Sequence, residues 1–214
     1  MISIEDKEEI RERVYDLLLA YRELVELLKK EDGIDFSYWY EYYGISDIEE
    51  VESFHIVSGA SRVVIFFDDI DYVVKIPFSG AGYYDLCEKE KKLFLLVSDC
   101  DMEKMFAECD YLGNCNVLDI DNQYYQIEMY IMKKAQVDEF KVERISEEQK
   151  TSFSYDGDWN ESDRNVIKNF EHFYGIELTE ELIEWLIYNG INDIHESNMG
   201  FIGGMPVLID YAGY

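Results

Sequence analysis

The sequence predicts an α+β fold, with an N-terminal helical segment, a β-rich region after it and a mainly helical region toward the C-terminus. Three observations support this order. Apolar residues recur at three- and four-residue steps from position 3 to 30, β-branched and aromatic runs follow from position 54, and helical periodicity returns after position 162. With 214 residues, of which 48% are hydrophobic, the chain is long enough to bury a core.

The N-terminal segment is predicted to begin with one amphipathic helix from Ser3 to about Lys30. Ser3 precedes Asp6 by three positions, a spacing typical of a helix N-cap, and lysines end the segment where the helix dipole is negative. The aromatic cluster from Phe36 to Tyr43 contains no Lys or Arg, which favours packing over base stacking. Ser46 to Glu49 matches a capping box and predicts a second, short helix.

The middle of the chain carries runs of β-branched and aromatic residues, interrupted by one helical stretch. The predicted elements, in chain order, are a strand from Phe54 to Val57, strands from Arg62 to Phe67 and from Tyr72 to Pro77, a helix from Tyr84 to Ser98, and strands from Tyr111 to Leu118 and from Tyr124 to Met132. Aspartate-rich turns at 68–71 and 119–122 join two pairs of these strands into hairpins.

The C-terminal region is predicted to begin after a polar surface connection from Ser146 to Ser162. One helix covers about Asp163 to Tyr174, and a second helix is capped by Thr179. The remaining residues suffice for a loop and two short strands that turn at Gly203-Gly204, the second strand covering 206–209.

The charge of the chain is its most unusual bulk property, because 47 Asp and Glu oppose 19 Lys and Arg, for a formal net charge of -28. Such an acidic protein repels nucleic acid phosphates and anionic membranes, so we expect it to bind neither directly. Two interpretations stay open. The charge serves solubility alone, or an acidic face imitates nucleic acid and occupies the basic groove of a partner protein.

The expected location is cytoplasmic. The chain has no run of about 18 apolar residues, and its start is acidic where a secretion signal would be basic. We expect reduced, structural thiols because the four cysteines form no close pairs. They are Cys87, Cys100, Cys109 and Cys115. The three histidines show no metal-ligand spacing, and neither a Walker loop nor a Gly-x-Ser-x-Gly elbow is present.

The candidate chemistry lies in two short segments near the C-terminus. Residues 192–200 have the sequence Asn-Asp-Ile-His-Glu-Ser-Asn-Met-Gly, and residues 207–213 have the sequence Val-Leu-Ile-Asp-Tyr-Ala-Gly. Asp193 precedes Asn198 by five positions, and Asp210 follows Asn198 by twelve. Phosphoryl transfer needs hard oxygen ligands for magnesium and a carboxylate near the acceptor hydroxyl. Asn198 and Asp210 therefore suit the metal, and Asp193 suits the acceptor.

This spacing resembles the catalytic loop and the metal-binding strand end of protein-kinase-like phosphotransferases. The pattern Asp-Ile-His-x-x-Asn is closer to that of aminoglycoside and choline kinase relatives, and of small kinase-like proteins of bacteria and phages, than to that of eukaryotic protein kinases. The resemblance covers about Phe54 to Gly213. It implies a two-lobe fold, with an extra N-terminal helical segment at 1–50, a β-rich N-lobe at 51–136 and a reduced helical C-lobe at 137–214. It also implies ATP and Mg²⁺ as cofactors.

The resemblance assigns further roles upstream. Lys75, in Val-Val-Lys-Ile-Pro, is similar to the third-strand lysine that reaches the nucleotide phosphates, and Glu90 is placed to form its ion pair. Glu88 is an alternative partner on another face of the same helix. Gly59 and Ser61 would belong to the loop that covers the phosphates, although only one glycine of the usual three is present.

Tyr130 to Ala135 would form the strand end and hinge against which adenine packs. We expect four side chains to converge in one cleft, namely Lys75, Asp193, Asn198 and Asp210. Two departures concern the acceptor side. Ile191 stands where a His usually leads the catalytic loop, and the chain ends at Tyr214, so we expect the activation segment to be missing.

Two functions follow from the sequence. The favoured one is an ATP- and magnesium-dependent phosphotransferase with an unknown acceptor, because all five polar residues of the site are present. The alternative is a catalytically weak or inactive kinase-fold binding protein, a pseudokinase whose acidic surface blocks a basic, nucleic-acid-binding partner. A phage-encoded inhibitor of host defence would be one example. A shared fold does not decide between the two functions.

Overall fold

The computed structural model describes residues 2–29, 36–59, 61–78, 83–98, 100–137, 161–191 and 194–212. These residues form a mixed α+β arrangement, which confirms the predicted class. The helices in the described ranges are α1 Ile4–Ala20, α2 Arg22–Leu28, α3 Phe36–Tyr42, α4 Ile45–Glu52, α5 Tyr83–Val97, α6 Glu161–Tyr174 and α7 Ile176–Tyr188. The strands are β1 Phe54–Ser58, β2 Arg62–Phe67, β3 Tyr72–Pro77, β4 Cys109–Leu118, β5 Tyr124–Lys133, β6 Met199–Ile202 and β7 Met205–Leu208.

The chain divides into two compact units. Unit 1 comprises Met1–Lys91 and Glu108–Lys133, and unit 2 comprises Lys92–Ala107 and Lys134–Tyr214. In the ranges given above, no helix is both long and apolar enough to cross a membrane. All four cysteines lie within these ranges, and each is a thiol rather than half of a disulfide.

Unit 1 is built on a five-stranded antiparallel sheet with the strand order β1-β2-β3-β5-β4. The observed limits of β2 and β3 are the predicted ones, and β1, β4 and β5 differ from prediction by one or two residues at an end. Runs of Val, Ile and Phe favour strands because their branched and aromatic side chains fit a pleated, half-buried surface. Helix α5 connects β3 to the 3₁₀ helix Asp101–Met105 that precedes β4.

The N-terminal helices share one hydrophobic core with this sheet. Buried residues of α1 and α2, such as Val14, Leu18 and Leu24, belong to the same cluster as Ile65 and Val74 of the strands. The region 1–50 therefore contributes to the core of the sheet rather than forming a core of its own. A salt bridge of 2.7 Å between Lys29 and Asp119 ties the end of α2 to the β4–β5 turn.

The prediction of one helix from Ser3 to Lys30 is wrong, because the helix is broken at Tyr21. Tyr21 has φ -126° and ψ 90°, which is extended backbone, and its hydroxyl donates to Glu52 at 2.6 Å. Both helices bury apolar residues on either side of the break. The Ser3 cap is confirmed, since its hydroxyl oxygen accepts a hydrogen bond from the Asp6 amide at 3.0 Å.

Two other predicted caps are wrong. Helix α4 begins at Ile45 after Gly44, which has φ 63°, so Ser46 lies inside the helix rather than capping it. Helix α7 begins directly after Gly175, three residues before Thr179. The Thr179 hydroxyl instead donates to the Gly175 carbonyl at 2.8 Å, a bond between side chain and the preceding turn.

Unit 2 combines α6 and α7 with the antiparallel hairpin of β6 and β7, which turns at Gly203-Gly204 as predicted. The hairpin is extended by two hydrogen bonds of 2.9 Å between the backbones of Gln136 and Phe201. Gly200 lies beside this bridge, where a Cβ atom would meet the Ala135 Cβ at 2.7 Å. The close approach of the two chain segments therefore requires glycine at this position. Most of the predicted connection 146–162 lies outside the described residues.

Candidate functional site

Lys75 lies in the middle of β3 and is buried, with 5% of its surface exposed. Its Nζ atom lies 3.1 Å from Glu90 Oε1 and 3.0 Å from Glu90 Oε2. Glu90 lies on α5 and has no exposed surface. Both charges are therefore removed from water and depend on each other for compensation. This is the ion pair that the resemblance to protein-kinase-like phosphotransferases predicts for Lys75.

Glu88, the alternative partner, lies toward the surface. It forms a salt bridge of 2.9 Å with Lys91, and both side chains are partly exposed. Two residues along a helix correspond to a rotation of about 200°, so Glu88 and Glu90 project from nearly opposite sides of α5. Helix geometry thus explains why Glu90 is the carboxylate that lies against Lys75.

Arg62 is a third buried charged residue at this position, and sequence reasoning missed it. Its Nη1 atom lies 2.8 Å from Glu90 Oε2, and 5% of its surface is exposed. Arg62 opens β2, a strand otherwise made of Val, Ile and Phe. A cation at the head of such an apolar run was the available signal, since an arginine there must either reach solvent or find a buried anion.

The surroundings of the three charges are apolar. Burial raises the pKa of the Cys109 thiol, and the negative charge of Glu90 raises it further. Burial likewise raises the pKa of Tyr130, which pairs with Lys75 across β3 and β5. Both groups stay neutral at physiological pH. These neutral side chains give the ion pairs of Glu90 a low-dielectric environment. Water screens the ion pairs little there, so the attraction between the charges is stronger.

Gly59 and Ser61 flank the turn between β1 and β2, and Ala60 lies outside the described residues. The Gly59 amide donates to the Arg62 carbonyl at 2.9 Å, and the Ser61 carbonyl accepts from the Phe78 amide at 3.0 Å. A Cβ on Gly59 would lie 3.8 Å from the Arg62 carbonyl oxygen, an ordinary contact. The Gly59 bond closes the β1–β2 hairpin, and the Ser61 bond extends the pairing of β2 with β3. Contact of either residue with nucleotide phosphates stays a prediction.

Three valines form an apolar surface on the same face of the sheet as Lys75. Val57 pairs with Val64 across β1 and β2, Val64 pairs with Lys75 across β2 and β3, and Val73 precedes Lys75 by two positions. Cross-strand partners and residues two apart share a face. Val57 is 49% exposed, and Val64 and Val73 are half-buried. Side chains alternate between the two faces along a strand, and this alternation was the signal in the sequence that could have identified the three valines as neighbours of Lys75.

Unit 2 holds the two predicted magnesium ligands next to each other. Asn198 ends the 3₁₀ helix Glu196–Asn198 directly before β6, and Asp210 follows β7. The Asn198 carbonyl accepts hydrogen bonds from the Ile209 amide at 2.9 Å and from the Asp210 amide at 3.4 Å. Asn198 is buried and Asp210 is half-buried. The hairpin thus brings together two residues that are twelve positions apart.

Tyr211 anchors the backbone beside Asp210, a feature that sequence reasoning did not identify. Its hydroxyl donates to the Ala107 carbonyl at 2.9 Å, and its ring makes an edge contact with Phe106 at 5.1 Å between centroids. Only 1% of Tyr211 is exposed. The residue next to Asp210 is therefore held at both its ring and its hydroxyl.

Asp193 lies outside the described residues, and so does Asn192. The convergence of Asp193 with Asn198, Asp210 and Lys75 therefore stays a prediction. Ile191, which replaces the usual His, is 1% exposed, and its amide donates to the Leu186 carbonyl at 2.9 Å.

Asn198 and Asp210 offer an amide and a carboxylate oxygen. Magnesium takes oxygen ligands and usually keeps several waters and substrate phosphate oxygens, so a site with two protein oxygens fits it. No cluster of three or more His, Cys, Asp or Glu side chains suited to a metal occurs among the residues that the structure describes. The donor chemistry thus fits magnesium bound together with a phosphate ligand, and not a closed zinc site.

Comparison with known proteins gives no family for this chain: no protein-family model matches it, and no curated protein matches it significantly in sequence. The functional argument therefore depends on the side chains of each unit. In unit 1 these are the buried Lys75, Glu90 and Arg62, and in unit 2 they are the adjacent Asn198 and Asp210.

Proposed function

We propose that the protein is an ATP- and magnesium-dependent phosphotransferase of the protein-kinase-like class. The observation that carries the proposal is the buried ion pair between Lys75 on the third strand and Glu90 on the helix that follows it. In protein kinases a lysine and a glutamate on these same elements must be paired for the phosphates to be positioned. An apolar sheet with a buried lysine has little other use for this arrangement, because burying the two charges costs free energy.

In this proposal unit 1 binds the nucleotide. The Lys75 ammonium donates to oxygens of the α- and β-phosphates, and Glu90 holds the Lys75 side chain in the orientation this requires. The half-exposed surface of Val57, Val64 and Val73 offers an apolar contact for the adenine ring.

Unit 2 supplies the ligands for magnesium. Bound magnesium neutralises the charge that develops on the transferred phosphoryl group. Asn198 and Asp210 would hold the ion through their side-chain oxygens, and Tyr211 keeps the backbone of Asp210 in place. Asp193 would orient the acceptor hydroxyl and accept its proton.

The test is nucleotide binding measured by thermal shift and calorimetry, with and without magnesium. We expect about 1 mM ATP with magnesium to raise the melting temperature, because a ligand that binds only the folded state must stabilise it. Lys75→Met should abolish the shift, and Asp210→Asn should abolish only its magnesium-dependent part. Glu184→Gln is the matched control, since Glu184 is an exposed carboxylate of unit 2. No shift of the unaltered protein at millimolar ATP would reject the proposal.

A second candidate function is a kinase-scaffold binding protein that occupies a basic partner, and the net charge of -28 favours it. This function would need the acidic surface and not the magnesium ligands. A double variant, Asp193→Ala with Asp210→Ala, separates the two candidates. Inhibition of a basic, nucleic-acid-binding partner that survives in the double variant would support the binding protein, and phosphate transfer that is lost would support the phosphotransferase.

A further inference from the structure

Two cations share one buried carboxylate in unit 1. Glu90 Oε2 lies 2.8 Å from Arg62 Nη1 and 3.0 Å from Lys75 Nζ, and all three side chains are buried. These three side chains carry two positive charges and one negative charge. A lysine and a glutamate alone would already compensate each other, so the function of Arg62 requires a separate explanation.

Arg62 and Lys75 approach Glu90 from the same face of the sheet. Arg62 pairs with Pro77 across β2 and β3, and Pro77 and Lys75 are two positions apart on β3. The two cations therefore stand on neighbouring positions of one face, over which α5 packs. Both side chains reach Glu90 from positions within the regular pairing of β2 and β3.

Arg62 contacts α5 at two points, and Lys75 contacts the same helix through Glu90. Besides Glu90, Arg62 Nη1 lies 3.7 Å from the Cys87 sulfur, three residues earlier on the same helix face. Its Nε lies 3.3 Å from the Ser61 hydroxyl, next to it in the chain. A guanidinium is planar, stays protonated and offers five donors, so it can hold a helix through several contacts at once.

We propose that Arg62 is a positioning residue: it fixes Glu90 and α5 against the sheet, which leaves the Lys75 ammonium to be shared with a phosphate ligand. The phosphate half of this inference rests on the proposed function, whereas the anchoring of α5 does not. With Arg62 on the carboxylate, Glu90 keeps a buried counter-ion when Lys75 turns toward an anion. A polyphosphate then compensates the second positive charge.

The separate roles of Arg62 and Lys75 predict opposite behaviour for the variants Lys75→Met and Arg62→Met. In Lys75→Met, the amides of α5 should stay protected from hydrogen exchange, and affinity for ATP or inorganic tripolyphosphate should fall about tenfold or more. In Arg62→Met, exchange across α5 should speed up about tenfold or more, because local opening depends on the contacts that hold the helix. Arg62→Lys keeps the charge and the reach toward Glu90 but gives up the Cys87 contact, and should restore most of the protection.

The measurements are hydrogen exchange of the full chain resolved along α5, and calorimetry with ATP and with tripolyphosphate. Equal loss of α5 protection in Lys75→Met and Arg62→Met would overturn the inference, and so would unchanged phosphate affinity in Lys75→Met.

If Arg62→Met does not fold, the comparison of Arg62→Lys with Lys75→Met decides: faster α5 exchange in Lys75→Met than in Arg62→Lys overturns the inference. If the unaltered protein binds neither ligand, the proposed function and the phosphate half of this inference fail together, and the exchange data still decide whether Arg62 anchors the helix.

Discussion

Replacing Glu90 by glutamine should be among the most destabilising single changes in unit 1. Glu90 has no exposed surface, and its carboxylate lies 2.8 Å from Arg62 and 3.0 Å from Lys75. Glutamine keeps the shape and one oxygen acceptor but removes the negative charge, so two buried cations then face a neutral amide. Breaking a buried ion pair by removing one partner costs about 3–5 kcal/mol, and we expect about 3 kcal/mol because part of the hydrogen bonding survives.

Glu88→Gln is the matched control, because it makes the same chemical change two residues earlier on the same helix. Glu88 pairs with Lys91 at 2.9 Å, and the two side chains are 32% and 21% exposed. Exposed pairs of this kind contribute about 0.3–0.5 kcal/mol, so the control should lose no more than that.

Urea unfolding followed by circular dichroism measures both variants against the unaltered protein. Raising the salt concentration should shrink the effect of Glu88→Gln and leave that of Glu90→Gln nearly unchanged, since salt screens exposed charges and hardly reaches buried ones. Equal losses in the two variants, or a loss below about 1 kcal/mol for Glu90→Gln, would refute the reasoning that Glu90 is the buried counter-ion of two cations.

Two further predictions concern packing and pH. Gly200→Ala should destabilise unit 2 by about 1–3 kcal/mol in urea unfolding, because the added Cβ would meet the Ala135 Cβ at 2.7 Å; Gly59→Ala, with 3.8 Å to its nearest neighbour, should stay within about 1 kcal/mol. Burial raises the pKa of Tyr174 to about 12, so the neutral phenol favours the folded state, and this contribution is lost as pH rises from about 10 toward 12. Tyr174→Phe should therefore show a shallower loss of stability between about pH 10 and about pH 12, and an unchanged slope would contradict the assignment.

Strand limits were predictable where the sequence pattern is local. The runs that became β2 and β3 consist mainly of β-branched and aromatic residues and are separated by the acidic turn 68–71, so no tertiary information was needed to place them. The ion pair of Lys75 was predicted from the resemblance to protein-kinase-like proteins, with Glu90 or Glu88 as the partner, and the structure pairs Lys75 with Glu90.

Other features depend on contacts between distant residues and were not predictable. The break at Tyr21 has no Pro or Gly to mark it, and its hydroxyl partner Glu52 lies 31 positions away. Arg62 was missed because its burial depends on the register of β2 with β3 and on the placement of α5 over both. Helix α4 begins after a left-handed Gly44 although Ser46 to Glu49 offers a complete capping box, so the turn geometry before the helix outweighed the side-chain cap.

The shared core of unit 1 has a consequence for synthesis on the ribosome. Helices α1 and α2 emerge first, yet they pack on a sheet whose last strand, β5, ends at residue 133. The salt bridge of Lys29 likewise cannot form until Asp119 has been synthesised. At about 5–20 residues per second, the apolar faces of both helices lack their partner strands for roughly 5–20 s. A nascent chain halted before residue 108 should therefore bind a hydrophobic dye or a chaperone, and one halted well beyond residue 133 should not.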